Sequence, residues 1–218
     1  MPCVQVIAGG RNLVAVDMTE PQKAEVLRRE GVSLLADRKH DEAIAKLLEA
    51  VKLDPQSAEA HRCLGQAWSY MAAELPPGEE KNRLLVLAEQ SVRKARELLG
   101  EETVAILHDL AWIYDEQGHY EEAIGLYRRG LNVGGPESPQ NDLTPIRYNL
   151  ACSLAKRNRI QEAAAELKLI LAEPWRKGEL WKWAPKDADL KALRDSPEWS
   201  AIAALIGERA SDPESRSN

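Results

Sequence analysis

Phenylalanine is absent from all 218 residues, and aromatic side chains make up only 5% of the chain. An interior built on phenylalanine is thereby excluded. Cysteine is scarce as well: Cys3, Cys63 and Cys152 are scattered, without a CxxC pair. That pattern suits a reducing compartment and buried or idle thiols better than a disulfide framework. No run of eighteen apolar residues occurs, so no membrane-spanning helix is expected. The N-terminus, MPCVQVIAGGRNLVAVD, lacks a basic start followed by a continuous apolar stretch, and no N-x-S/T sequon is present. The cytoplasm is the expected location.

Chemical signatures are missing too. The four histidines, His40, His61, His108 and His119, belong to no HExxH motif or Cys/His cluster, so no metal site is expected. Neither GxSxG, a phosphate-binding Walker loop nor GxGxxG occurs. His108 and Asp109 are neighbours on a predicted helix, about 100° apart, and make a poor dyad. An enzyme is not expected, and neither is a cofactor. With 29 Lys plus Arg against 35 Asp plus Glu, the net charge of −6 disfavours a phosphate backbone.

What the chain does have is a spacing of small residues. Gly31 and Ala43, Ala111 and Ala123, and Ala151 and Ala163 are each twelve apart, and Ala43 to Gly65 is twenty-two. The full period is about 34 residues, a length found in helical-hairpin arrays. Each twelve-residue segment (LLADRKHDEA, IYDEQGHYEEA and LAKRNRIQEA with their flanks) holds the end of one helix, a turn and the start of the next. Two antiparallel helices joined so tightly must cross closely, and a small residue on each side lets the backbones approach.

Apolar residues return at helical spacing around these points: Leu27, Leu34, Leu47; Leu64, Trp68; Leu107, Leu110, Tyr114, Tyr127; Leu150, Leu154, Leu167. Acidic or amide residues, Asp41–Glu42, Glu121–Glu122 and Gln161–Glu162, open each second helix, opposing its dipole. Pro55 ends the first repeat. Two steps depart from the rule. Gly65 and Ala88 are twenty-three apart, which lengthens the second hairpin around ELPPGEEKN, and Ala123 to Ala151 is twenty-eight, the excess lying in GGPESPQND.

The copies AEVLRREGVSLLADRKHDEAIAKLLEAVKLDP, CLGQAWSY and LHDLAWIYDEQGHYEEAIGLYRRGL resemble tetratricopeptide repeats (TPRs). The likeness covers residues 21–174, with Leu47, Val92, Tyr127 and Leu167 where the family usually has an aromatic. A fourth copy, YNLACSLAKRNRIQEAAAEL, followed by DADLKALRDSPEW, is similar to the closing unit of a subgroup of bacterial TPR proteins. The resemblance implies an all-α, right-handed solenoid of about four TPR-like hairpins with a short C-terminal helical cap. Its implied parts are a leader over 1–20, the array over 21–174, the cap over 175–210 and a disordered tail over 211–218. The leader reads either as a β-hairpin or as sequence ahead of a translation start at Met18. The cap is expected to bury Trp175, Trp181, Trp183 and Trp199.

The resemblance also implies a concave groove lined by the first helix of each hairpin. It places Arg28, Arg29 and Val32 there, then Arg62, Gln66 and Tyr70, then His108, Trp112 and Asp115, then Tyr148, Asn149 and Cys152. Trp112 is offset from its helix's apolar stripe. It is expected either to face the groove as an anchor, with Tyr70, Tyr148 and Arg62 nearby, or to pack against the next repeat. The Lys and Asn clamp that grips acidic chaperone tails is missing, since Val32, Cys63, Ala105 and Asp109 stand in its places. Arg28, Arg29 and Arg62 at one end, against Asp109, Asp115 and Glu116 at the other, predict a ligand of uneven charge.

The expected function is a non-enzymatic interaction module that holds a peptide or helix of a partner protein in the groove. A self-associating homo-oligomeric subunit stays open as a second reading. A nucleic-acid binder, which is not expected, would centre on Lys156, Arg157 and Arg159, with Arg176 and Lys177 further on.

Overall fold

The computed structural model describes residues 18–135, 143–172 and 184–211. Eight helices form four antiparallel hairpins: α1 (Glu20–Ala36) with α2 (His40–Leu53), α3 (Ala58–Ala73) with α4 (Glu79–Leu99), α5 (Val104–Glu116) with α6 (Tyr120–Gly134), and α7 (Thr144–Lys156) with α8 (Ile160–Ala172). Each second helix packs on the next hairpin, and α1, α3, α5 and α7 touch in succession. The result is the expected all-α solenoid.

The small residues sit where the hairpins cross. Ala43, Ala88, Ala111, Ala123, Ala151 and Ala163 are fully buried. A Cβ on Gly31 would stand 2.7 Å from Leu47 Cγ and 3.3 Å from the Ala43 carbonyl. One on Gly65 would stand 2.5 Å from Val92 Cγ2 and 3.0 Å from the Ala88 carbonyl. Leu47 and Val92, at the usual aromatic positions, are thus the side chains that fill the space left by the glycines.

Three hairpins share one turn. Arg38 (φ 59°), Gly118 (φ 81°) and Asn158 (φ 57°) adopt the left-handed conformation at equivalent places. The amides that follow, of Lys39, His119 and Arg159, bond back five residues to Leu34, Tyr114 and Leu154 at 2.9, 2.8 and 2.9 Å. This is the Schellman closure, which satisfies a carbonyl left free by the helix end. Arginine is the costly occupant, because its Cβ crowds the following carbonyl oxygen. Arg38→Gly is therefore expected to raise stability by about 0.5–1 kcal/mol, net of the freedom a glycine gains when unfolded and of an exposed pair with Glu74. Urea titration checks it, and a loss of stability would contradict the reading.

Three of the four first helices carry side-chain caps, α7 being the exception. Thr19 closes a capping box with Gln22, and Ser57 and Thr103 accept from the amides of Ala60 and Ile106. By contrast, α2 and α6 have no side-chain cap; Asp41, Glu42, Glu121 and Glu122 lie in their first turns and act on the helix dipole alone. The second hairpin carries the predicted extra length, with α4 running 21 residues before Gly100 ends it at φ 71°.

The two ends of the stack are unlike. Ala60, Ile106 and Ile146 are buried beneath the preceding hairpin, but the equivalent Val26 is 40% exposed. Glu30 and Ser33, also exposed, replace the buried Leu64 and Ala67 of the next repeat. The outer face of α1 is thus suited to water. At the other end a 3₁₀ turn (Ala188–Leu190), a short helix (Lys191–Arg194) and a last helix (Trp199–Ser211) pack on α7 and α8. They bury Ala184, Leu190, Leu193 and Ile202, with Trp199 partly covered. Trp175, Trp181 and Trp183, residues 1–17 of the leader and the tail beyond Ser211 lie outside the described residues.

Candidate binding groove

Helical periodicity decides which side chains of α1, α3, α5 and α7 share a face, because residues three or four apart lie on one side. Three positions before each small residue stand Arg28, Arg62, His108 and Tyr148. The first three each reach a residue two positions before the small residue of the next unit. Arg28 donates to Cys63 at 3.9 Å, Arg62 to Asp109 at 3.0 Å, and His108 meets the Asn149 amide at 3.1 Å. The fourth rung is Tyr148, whose hydroxyl donates to Asp187. Asp187 belongs to the C-terminal segment, which therefore takes the place of a further first helix.

A second line of contacts runs beside the ladder. Gln66 donates to the other oxygen of Asp109 at 3.0 Å. The Tyr70 and Trp112 rings pack with centroids 4.8 Å apart and planes tilted 50°. Ser153 donates to Asp115, and Lys156 bridges Asp115 at 2.5 Å and Asp189 at 2.9 Å. The Asn149 amide nitrogen lies 3.1 Å from His108 Nε2, and His108 Nδ1 stands 3.6 Å from Asp109. That gap exceeds hydrogen-bond length.

Arg28, Arg62, Gln66, Tyr70, His108, Trp112 and Asn149 thus come together along one face, all half-buried. Trp112 packs on Tyr70 of the preceding repeat, as the second of its two expectations had it. Two anticipated contact residues are elsewhere. Tyr148 is 9% exposed and lies under the C-terminal segment, where no ring is offered to a ligand. Asp115 is 8% exposed, wedged between α5 and α7 by its bonds to Ser153 and Lys156. Both were placed by their register on one helix, which says nothing of what packs over them.

The expected uneven charge is also corrected, because the groups neutralise one another locally. Glu25 pairs with Arg28 at 2.8 Å and Arg29 at 2.7 Å; Arg28, then Arg29, holds its carboxyl down to about 2. Arg62 pairs with Glu59 at 2.7 Å as well as with Asp109, and Lys81 with Glu116 at 2.7 Å. Burial lifts the Asp115 carboxyl above its ordinary range against the pull of Lys156. For Lys156, burial acts downward but Asp115 and Asp189 outweigh it, so the ammonium is held more firmly than usual. Arg157 and Arg159 lie on Glu121 at 3.1 and 3.3 Å, and Arg159 also on Glu162 at 2.7 Å. The basic cluster is already paired; Arg176 and Lys177 lie outside the described residues.

Burial raises the Cys63 and Cys152 thiols, keeping both protonated and poor nucleophiles. Cys152, Asp187 and Asp189 bring donor atoms within 4.8 Å of one another, a spacing that a cation could use. Lys156 already supplies positive charge there, and the protonated thiol is a poor ligand. Sequence reasoning overlooked Asp109 as the hub for Arg62 and Gln66, and Asp187 as the closing acceptor. The recurring place of Cys63, Asp109 and Asn149 in the repeat was the available signal for the first.

Among the described residues no helix is long and apolar enough to cross a membrane. Residues 38–68 match the family described as TPR repeat, and residues 106–137 the family described as tetratricopeptide repeat. No curated protein matches the chain. Among solved structures, a Podosopora anserina protein of nearly identical TPR-like repeats is similar over 88% of this chain and 96% of its own, at 16% identity and a TM-score of 0.63. Pseudomonas aeruginosa pilF is similar over 87% of this chain and 77% of its own, at 17% identity and a TM-score of 0.59. YrrB is similar over 86% and 91%, at 16% identity and a TM-score of 0.51. The chain thus carries tetratricopeptide repeats at residues 38–68 and 106–137, within a hairpin solenoid that shares the fold of solved TPR structures.

Proposed function

We propose that the chain is a non-catalytic, cytoplasmic interaction module that holds a segment of a partner protein along the face of α1, α3 and α5. The TPR fold supports a protein-interaction role in general. YrrB, of the same fold, is described as a TPR protein with an unusual peptide-binding site, which favours a groove as the mode here. The observation that carries the reading is the Tyr70–Trp112 pair. These are two large rings, half-buried and packed at a tilt across neighbouring repeats, on the face shared by Arg62 and Gln66. Aromatic residues beside arginine dominate binding energy at interfaces. The C-terminal segment covers the α7 end, so the open part of the groove is that of the first three hairpins.

A photo-cross-linking residue at Val32, beside the groove on α1, and another at Leu48, on α2, test this in the source cells. The Val32 position is expected to capture one partner that Leu48 does not, and Trp112→Ala to abolish capture while the melting temperature stays within a few degrees. Capture from Leu48 alone, capture of only a second copy of the chain, or indifference to Trp112→Ala would overturn the proposal.

A further inference from the structure

The chemistry of the segment that fits this groove can be taken further, resting on the interaction role just proposed. Along the open part of the groove the ionic groups close on each other: Glu25 on two arginines, and Arg62 on Glu59 and Asp109. A charged ligand would have to break or compete with pairs already formed, gaining little. Yet two polar groups are left over. The Trp112 indole N–H and the Tyr70 hydroxyl make no hydrogen bond among the described residues, although both rings are half-buried and burial raises the Tyr70 phenol above its ordinary range. Each can donate, so the ligand must supply acceptors together with apolar surface for the rings.

A helix is poorly equipped for this. Its main-chain carbonyls are spent on its own amides, and only side chains face outward. An extended chain presents free carbonyls at every residue. A chain locked in the polyproline conformation does so with little entropy left to lose, and its prolines lay flat apolar rings on aromatic surfaces. We propose that the Tyr70–Trp112 pair is the anchor subsite for an uncharged, extended, proline-bearing segment of the partner. Proline rings pack on Trp112, and main-chain carbonyls accept from the indole N–H and the phenol.

The test uses the full chain and three probes blocked at both ends: decaproline, a neutral alanine–glutamine helix former and an oligoglutamate. The Trp112 indole resonance, assigned as the one lost in Trp112→Phe, is followed by nitrogen-edited NMR. Decaproline is expected to move it at concentrations up to about 1 mM, with an apparent affinity unchanged by raising salt. Trp112→Phe keeps a ring but loses a donor, and Tyr70→Phe does likewise; with binding read from backbone amide shifts, because the indole resonance is absent from the first, each is expected to weaken it about 2- to 10-fold, the worth of one hydrogen bond. The proposal falls if decaproline leaves the resonance in place, if the helix former or oligoglutamate moves it more, if salt weakens the decaproline effect, or if both phenylalanine variants bind as well as wild type. Should Val32 cross-linking still capture a partner in any of these cases, only the ligand chemistry fails; should that capture fail too, the groove itself is not the binding surface.

Discussion

Gly65→Val should lower the melting temperature by about 6–12 °C. At Gly65 the hairpin crossing has no room. The first carbon of any side chain would meet Val92 Cγ2 at 2.5 Å and the Ala88 carbonyl at 3.0 Å, and the second of these is backbone. Val92 is fully buried, so it has nowhere to swing without opening the contact between α3 and α4. Such overpacking costs about 3 kcal/mol, and a chain of this length loses about 2–4 °C per kcal/mol. Gly125 is the matched control. It is also helical, but a Cβ there meets nothing within 4 Å, so Gly125→Ala should hold or raise the melting temperature. Differential scanning fluorimetry of the two variants decides the matter. A Gly65→Val melt equal to wild type would mean that the crossing does not depend on close backbone approach.

Arg62→Met is expected to cost about 3 kcal/mol, because it strands the Asp109 carboxylate, which is 4% exposed, with Gln66 as its remaining donor. The reverse deletion is milder. With Asp109→Leu, Arg62 keeps Glu59, which is half exposed, so about 1–2 kcal/mol is expected. Combining the two replaces a buried ion pair with apolar contact and should recover most of the loss, to within about 1 kcal/mol of wild type. Urea denaturation of the four proteins completes the cycle. A loss under about 1 kcal/mol for Arg62→Met alone would show that water reaches Asp109 and that this rung carries no weight.

These two results probe different kinds of information. The crossing at Gly65 could be anticipated from spacing, since a residue without a side chain must recur wherever two helices meet at a fixed register. The lengthened second hairpin was anticipated the same way, from the distance between Gly65 and Ala88. Register put Arg62, Gln66, Tyr70, His108, Trp112 and Asn149 on the first helices, and in the structure these side chains make contacts from one repeat to the next. Register could not show that Asp109 would gather Arg62 and Gln66, because that depends on how far α5 slides along α3.

Asp115 and Tyr148 mark the same limit. Tyr148 stands where Arg28, Arg62 and His108 stand in their repeats, and Asp115 lies three residues beyond Trp112, but Lys156 and Ser153 close over Asp115 and Asp187 over Tyr148. Asp187 comes from a segment with no repeat pattern to announce its position. By itself, then, the sequence determined the helices, their small-residue crossings, their turns and the face each side chain takes, because helix geometry repeats with a local period of 3.6 residues. Only the tertiary structure decided which charges neutralise one another and which rings stay open. Those outcomes hang on contacts between residues tens of positions apart, set by the packing of one hairpin on the next.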